Sequence, residues 1–293
     1  MNRQADTLII IGNGFDLANN FKTSYKDFVQ HKLFTTLVPK NALAKHIQDI
    51  VQIQKWVDLE MELANYSNTL WEQYKHHIPK AINVLFEKEF NEIRDALFHY
   101  ILEVQQASIS NPSLEHLIQD WSNELCEDKR AYILCFNYNM VDYRFFSKDT
   151  AYQQHFMGGN PNQVHGIASP NKGNRIVLGV DKTNIQCKEH SFIIKEYNEN
   201  TNDNGYFESI GSVSKIIIFG CSLGNTDYRY FKPLFTDVSG KTFNIYCHGE
   251  NEYRTIKQNI QSYSNDYMSL IQKNKIHFFD SSKKSFDEFK ETT

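Results

Sequence analysis

The chain has 293 residues, of which 41% are hydrophobic and 14% aromatic, so it can bury a large core. Its formal net charge is -4 and its pI is about 6.3, which excludes a globally basic nucleic-acid-binding surface. The longest apolar runs are far shorter than the roughly 20 residues of a membrane-spanning helix. The five cysteines form no CxxC pair, which argues against a disulfide framework and a structural zinc site. We therefore expect a cytoplasmic protein that binds no metal, no membrane and no specific nucleic acid.

The first predicted element is a strand at residues 7–12, where a continuously apolar run indicates burial on both faces. Two glycines follow it, and such a loop lets the backbone approach a phosphate at the start of a helix. The loop lacks the third glycine of GxGxxG and the Lys-Ser/Thr of a P-loop, so a structural turn is the alternative. The aspartate of this loop can cap the helix or bind a hydroxyl group. The residues predicted here to bind a nucleotide are Gly12, Asn13, Gly14, Phe15 and Asp16, with Ser24 and Tyr25 on a second wall.

A long helical block is predicted next, over about residues 40–128. Within it, the segment at residues 80–105 carries apolar side chains at the spacing of one helix face. We interpret the block as core and scaffold packed over the nucleotide site, and not as a cofactor-binding segment. The apolar residues assigned to that face are Ile82, Leu85, Phe86, Phe90, Ile93, Leu97, Tyr100 and Ile101.

The remaining strands are predicted from short apolar runs bounded by turn residues. Strands that alternate with helical connections predict a doubly wound, mostly parallel, Rossmann-like α/β sheet. We expect one domain over residues 1–293, with the helical block inserted after the first strand. The further strands are predicted at residues 131–137, 214–220 and 242–247, and two weaker candidates lie at 175–180 and 275–280.

Polar residues follow several of these strands, at the edge of a parallel sheet where ligands bind. Asn137 has a donor and an acceptor and can orient a substrate or a water, or it can simply cap a turn. His165 is a candidate general base, because histidine side chains suit that role near neutral pH, although a single histidine is more often a packed or surface residue. The turn after the predicted strand at residues 214–220 is framed by glycines. It adds Gly220, Ser222 and Asp227 to the predicted site residues. We therefore predict that these turns together form one ligand-binding site.

Six segments, in order along the chain, resemble the AbiH-type bacteriophage abortive-infection family. The first and the last are long and specific. Asn139 and Cys221 stand where that family leads us to expect Thr and His, so these two positions are not expected to carry essential chemistry. The matching segments are LIIIGNGFDLANNFKTSYKDF (8–28), WVDLE (56–60), FNYN (136–139), HG (165–166), VLGVD (177–181) and GCSLGNTDYRYF (220–231).

The AbiH family in turn resembles sirtuin-like NAD-binding domains. The resemblance implies that the loop at 12–14 holds phosphate, that Asn137 and His165 are catalytic, and that Gly220 and Ser222 bind nucleotide. It implies cleavage of the nicotinamide–ribose bond of NAD by an antiphage effector, which makes the protein an NAD glycohydrolase. The four-cysteine zinc module of sirtuins is absent from the sequence, so a deacetylase is not expected.

Two other interpretations remain open. The same pocket in a sensor would bind NAD or ADP-ribose and signal to a partner, for example within a homo-oligomer, without turnover. A metal-dependent nuclease would use acidic residues as ligands, but Asp58 and Glu60 are equally explained by the start of a helix. The acids considered for such a metal site are Asp58, Glu60, Asp181 and Asp227.

Overall fold

The computed structural model describes residues 6–54, 58–106, 111–124, 131–139, 162–171, 173–198 and 206–290. The chain divides into two units, which are treated separately below. The sheet unit comprises Met1–Phe21, Ser108–Val164 and Asn202–Thr293, and the helical unit comprises Lys22–Ala107 and His165–Thr201. The predicted single domain, with its helical block placed over the nucleotide site, stays a prediction.

The sheet unit contains a six-stranded sheet in which every neighbouring pair of strands is parallel. This confirms the predicted parallel, Rossmann-like α/β fold. The strand order is β3-β2-β1-β6-β7-β8, and β3 contributes only two residues. The strands are β1 (Thr7–Ile11), β2 (Ala131–Cys135), β3 (Asn162–Gln163), β6 (Lys215–Phe219), β7 (Thr242–Cys247) and β8 (Lys275–Asp280).

The central strand β1 is buried on both faces, as its apolar run predicts. Leu8 and Ile10 belong to one hydrophobic cluster, whereas Ile9 and Ile11 belong to another. Alternate residues of a strand point to opposite faces, so each face of the sheet has a core of its own. The helices of this unit are α1 (Asn13–Ala18), α7 (Pro112–Glu124), α8 (Tyr206–Ser212), α9 (Tyr228–Phe235), α10 (Gly249–Tyr263) and α11 (Tyr267–Lys273).

The strand order changes direction beside β1. Ile11, its last residue, is in register with Cys135 of β2 on one side and with Phe219 of β6 on the other. From β1 the chain leads outward to β2 and β3 on one side, and β6, β7 and β8 complete the other side. In open α/β sheets, ligands bind beyond the strand ends at such a switch point. The switch point therefore lies at the loops that follow β1 and β6.

The helical unit confirms the predicted helical character of residues 40–104. Its longest helix buries Phe86, Phe90 and Ile101 on one face, as predicted, but Leu85 is 45% exposed, so its predicted burial is wrong. Phe86, the next residue, is only 1% exposed, so Leu85 lies at the edge of the buried face and not on it. The helices are α2 (Tyr25–Gln30), α3 (Lys32–Thr35), α4 (Ala42–Gln54), α5 (Leu59–Gln73) and α6 (Lys80–Val104).

The weak strand prediction at residues 175–180 is wrong. Only Val180 pairs, through an isolated parallel bridge to Ile194. Gly179 has φ +153°, and a Cβ at this position would lie 2.2 Å from the carbonyl oxygen of Ile193. The glycine thus lets two irregular segments approach closely. The two short strands of this unit, β4 (Ala168–Ser169) and β5 (Gly173–Asn174), instead form an antiparallel hairpin.

No helix in the described part of the chain combines the length and the apolar character needed to cross a membrane.

Candidate active site at the sheet switch point

The loops after β1 and β6 pack directly against each other. The backbone N–H of Gly12 donates to Phe219 O at 2.9 Å, and that of Gly14 donates to Gly220 O at 2.8 Å. A Cβ on Gly12 would lie 2.4 Å from Gly220 O, and one on Gly14 would lie 2.5 Å from Gly220 Cα. The glycines are therefore required for contact between the two backbones. Because two of the loop amides are engaged, phosphate binding would have to use other groups of the site.

The other members of the first loop have separate roles. Asn13 begins α1, a helix of six residues whose N-cap, Gly12, makes no side-chain cap. Phe15 is fully buried and packs edge-to-face on Phe219, with ring centroids 5.9 Å apart, so its side chain belongs to the core. Asp16 is not the N-cap residue, and its side chain is buried.

Asp16 joins the loop after β1 to the loop after β2. Its Oδ1 accepts from Asn137 Nδ2 at 3.0 Å, and its Oδ2 accepts from Asn139 Nδ2 at 2.5 Å. All three side chains are nearly inaccessible to solvent. The prediction that Asp16 and Asn137 share a site is consistent with this contact, which spans 121 positions of the chain. Asn139 is part of the same cluster, although its departure from the AbiH pattern led us to expect no essential chemistry at this position.

The Asp16 carboxylate determines which way the Asn137 amide faces. A carboxylate oxygen that accepts a hydrogen bond must face the NH2 group of the amide and not its oxygen. The Asn137 oxygen, Oδ1, is thereby turned away from Asp16. Among the described residues it is a buried side-chain acceptor with no hydrogen-bond partner. Such an atom costs about 1–3 kcal/mol when it is left unsatisfied, so it can pair with a water or with a donor of a ligand.

The turn after β6 is shaped by backbone conformation. Gly220 has φ +62°, and a Cβ there would lie 2.5 Å from the backbone of Gly14. Ser222 is exposed, and its carbonyl oxygen accepts from Asn259 Nδ2 at 3.0 Å. Asp227 closes a short 3₁₀ helix and precedes α9 without a side-chain cap. The structure therefore brings Gly220 to the first loop, whereas ligand contacts of Ser222 and Asp227 stay predictions.

Three predicted site residues belong to the helical unit. Ser24 caps α2, because its Oγ accepts from Asp27 N at 3.1 Å, and Tyr25 is the first residue of that helix. His165 is buried, and its carbonyl oxygen accepts from Val177 N at 2.8 Å. Gly166, which follows it, has φ +69° in a position where a Cβ would collide with the Arg175 carbonyl. The nearness of these three residues to the loop after β1 stays a prediction.

Three of the four acidic residues considered as metal ligands belong to the helical unit and have structural partners there. Asp58 is the N-cap of α5 and accepts from Met61 N at 3.1 Å, which agrees with the helix-start interpretation. Burial and the neighbouring Glu60 raise the pKa of Asp58 to about 6. Glu60 binds Lys195 Nζ at 2.8 Å with both side chains buried. Asp181 caps a 3₁₀ helix by accepting from Thr183 N at 2.9 Å.

A second buried polar cluster, which no sequence pattern indicated, surrounds His190. Its Nδ1 lies 2.8 Å from Ser67 Oγ, and its Nε2 lies 2.9 Å from Asn83 Oδ1. Burial lowers the pKa of this imidazole to about 4, so the ring is neutral near pH 7. An amide oxygen can only accept, so Nε2 carries the proton and Nδ1 accepts from the serine. The partners lie 123 and 107 positions from His190, so no local motif identifies the cluster.

Metal binding has no candidate cluster in the part of the chain that the structure describes. No group of three or more His, Cys, Asp or Glu side chains there has the arrangement to hold a metal ion.

Comparison with known proteins identifies one protein family. The family model described as bacteriophage abortive infection AbiH matches residues 8–248. The match covers the loops after β1, β2 and β6, and most of both units. Neither the curated proteins nor the solved structures contain a significant match to the chain.

Proposed function

The chain belongs to the AbiH family of bacteriophage abortive infection, and from this premise we propose that it hydrolyses NAD at the nicotinamide–ribose bond. Loss of NAD would halt the metabolism of an infected cell and so stop phage production. The observation that carries the proposal is the Asn137 amide, which stands after β2 beside the switch point with an unpartnered oxygen. That oxygen can accept a hydrogen bond from a ribose hydroxyl or from the attacking water.

The reaction places limited demands on the protein. The bond between C1′ of the ribose and the pyridinium nitrogen breaks, and its electron pair neutralises the pyridinium, so nicotinamide leaves without needing a proton. Water forms the new C1′–O bond and gives up one proton, which yields ADP-ribose. The transition state resembles an oxocarbenium ion, for which orienting the ribose and the water matters most. An uncharged amide held rigidly by Asp16 suits that task.

The proton acceptor in this proposal is His165. Val164 N–H donates to Cys135 O at 2.8 Å, and His165 is the next residue in the chain. Asn137 lies two residues beyond Cys135. The resemblance to sirtuin-like NAD-binding domains assigns this role to His165, with the imidazole taking the proton from the water or from a ribose hydroxyl.

The test is incubation of the purified full chain with NAD, followed by chromatography for free nicotinamide. We expect the His165→Ala variant to release nicotinamide about a hundredfold more slowly than the wild type, the usual scale for losing one acid–base group. Asp120→Asn, a substitution at an exposed position of α7, is the matched control and should retain full activity. Equal rates for His165→Ala and the wild type would contradict its role.

A sensor that binds NAD or ADP-ribose without turnover is the second candidate. The unpartnered Asn137 oxygen supports it as well, because accepting a hydrogen bond requires a ligand but no reaction. Calorimetric binding of ADP-ribose with no nicotinamide release, also in the presence of phage lysate, would favour the sensor over the hydrolase.

A further inference from the structure

We propose that Asp16 is a positioning residue. By fixing the orientation of the Asn137 amide, it makes the switch-point site select a ligand group that donates a hydrogen bond. That group is the ribose hydroxyl of a ribosyl nucleotide. The inference rests on the proposed function for the identity of the ligand. It adds a role for Asp16, which the sequence analysis treated as a direct ligand-binding residue, and it states which chemical group the site recognises.

The first step concerns the Asp16 side chain itself. It is 1% exposed, and each of its carboxylate oxygens accepts a hydrogen bond from an asparagine amide. At this exposure the carboxylate presents almost no surface to a ligand. Asp16 therefore acts on the ligand through Asn137, by holding that amide in one orientation.

The second step concerns the side-chain oxygen of Asn137, which is turned away from Asp16. The Asn137 oxygen is an acceptor, and it has no partner among the described residues. A phosphate oxygen is also an acceptor, so a phosphate placed there would leave the amide oxygen unsatisfied. A ribose hydroxyl can donate to it. The site therefore discriminates in favour of a donor, since a site built to pair with a hydroxyl rejects the analogue that lacks it.

The third step concerns the loop after β1. The amides of Gly12 and Gly14 already donate to the carbonyl oxygens of Phe219 and Gly220. The usual phosphate-binding function of a glycine loop is thus reduced at this point, while the amide oxygen of Asn137 is kept available. The two observations favour recognition of the sugar over recognition of the diphosphate at this point of the site.

The experiment exchanges the two side chains. In Asp16→Asn, an oxygen remains at only one of the two positions to which the neighbouring asparagines donate, so the two compete for it and the Asn137 amide is no longer fixed in one orientation. In the double variant Asp16→Asn with Asn137→Asp, the amide at 16 donates to the carboxylate at 137 and still accepts from Asn139. Every hydrogen bond of the cluster is retained, and an oxygen faces the ligand again.

The readout is the affinity for ADP-ribose and for its 2′-deoxy and 3′-deoxy forms in the terminal ribose, measured by calorimetry. We expect removal of one hydroxyl to weaken binding to the wild type about tenfold or more, the effect of leaving a buried acceptor unpaired. Asp16→Asn should reduce the ratio between the dissociation constants of the deoxy form and of ADP-ribose to about threefold or less. The double variant should restore the wild-type ratio. Asp120→Asn should discriminate as the wild type does.

Several results would overturn the inference. They are equal binding of ADP-ribose and both deoxy forms by the wild type, no binding of any of them, unchanged discrimination in Asp16→Asn, or a double variant that fails to fold or to discriminate. A purely structural role for Asp16 would weaken all three ligands equally and leave their ratio unchanged. Failure of the hydrolase proposal looks different, because hydroxyl discrimination would persist without nicotinamide release.

Discussion

The two units of the molecule each bury a cluster of polar side chains, and the clusters differ in what they leave unpaired. In the helical unit, both ring nitrogens of His190 have partners, so burial of the ring is compensated within the protein. In the sheet unit, Asp16 has a partner at each oxygen, yet the Asn137 oxygen has none among the described residues. A fully paired cluster stabilises a fold, whereas one that keeps an unpaired acceptor is prepared for a ligand.

The largest expected effect separates the two clusters by function. Asn137→Ala should slow nicotinamide release about a hundredfold per folded molecule, and it should also lower the free energy of unfolding, because the buried Asp16 carboxylate loses a donor. Asn83→Ala, the matched change beside His190, should leave the rate per folded molecule intact and lower stability, because His190 loses an acceptor. Rate assays and urea unfolding on the same preparations measure both quantities. The comparison fails if both variants lose activity equally.

Glycine substitutions test whether the switch-point loops depend on backbone contact. Gly220→Ala should lower the free energy of unfolding by about 2 kcal/mol or more, because its Cβ would lie 2.5 Å from the Gly14 backbone at φ +62°. Gly240→Ala has a similar φ of +70° but no atom within 4 Å, so its cost should stay near about 1 kcal/mol. Denaturant unfolding provides the measurement. Equal losses would show that backbone conformation alone explains the glycine.

Acid should weaken the helical unit through His190. Its pKa in the fold is about 4, below the ordinary value of 6.5, so its contribution to stability is fully present above pH 6.5. That contribution is lost as the pH falls through 6.5 toward 4, by up to about 2–3 kcal/mol. His190→Gln cannot titrate, so the stability difference from the wild type should shrink as the pH falls. A difference that is constant between pH 7 and pH 4.5 would contradict the assigned pKa.

The smallest expected effect has the opposite pH dependence and concerns Asp58. Its pKa is raised to about 6, so ionisation opposes folding, and stability is lost as the pH rises from about 4 through 6. Asparagine is also a good N-cap residue, so Asp58→Asn should keep the cap and avoid the charge. We expect it to stabilise the protein by about 1 kcal/mol at pH 7.5 and to have no effect at pH 4. Thermal melts at the two pH values would reveal a pH-independent effect, which would refute this explanation.

Local sequence patterns were sufficient for five of the six strands of the sheet and most of the helices, but they did not predict the two residues of β3. The runs at β1, β2, β6 and β7 are short and continuously apolar, and that pattern arises from burial on both faces of a parallel sheet. The same reasoning failed at residues 175–180, because an apolar run with a glycine can also be an irregular segment packed against another backbone. The exposure of Leu85 is a similar failure, since helical spacing identifies a face but not where the edge of its buried part lies.

The sequence by itself therefore determined the family, the α/β class and the loops in which the site lies, because those depend on residue types that are close in the chain. Tertiary structure decided what each side chain does. It assigned Phe15 to the core, used the amides of Gly12 and Gly14 for contact with the loop after β6, and placed Asn139 beside Asp16. Hydrogen bonds between residues more than a hundred positions apart leave no periodic signal, so only the folded chain shows that Asp16 orients Asn137.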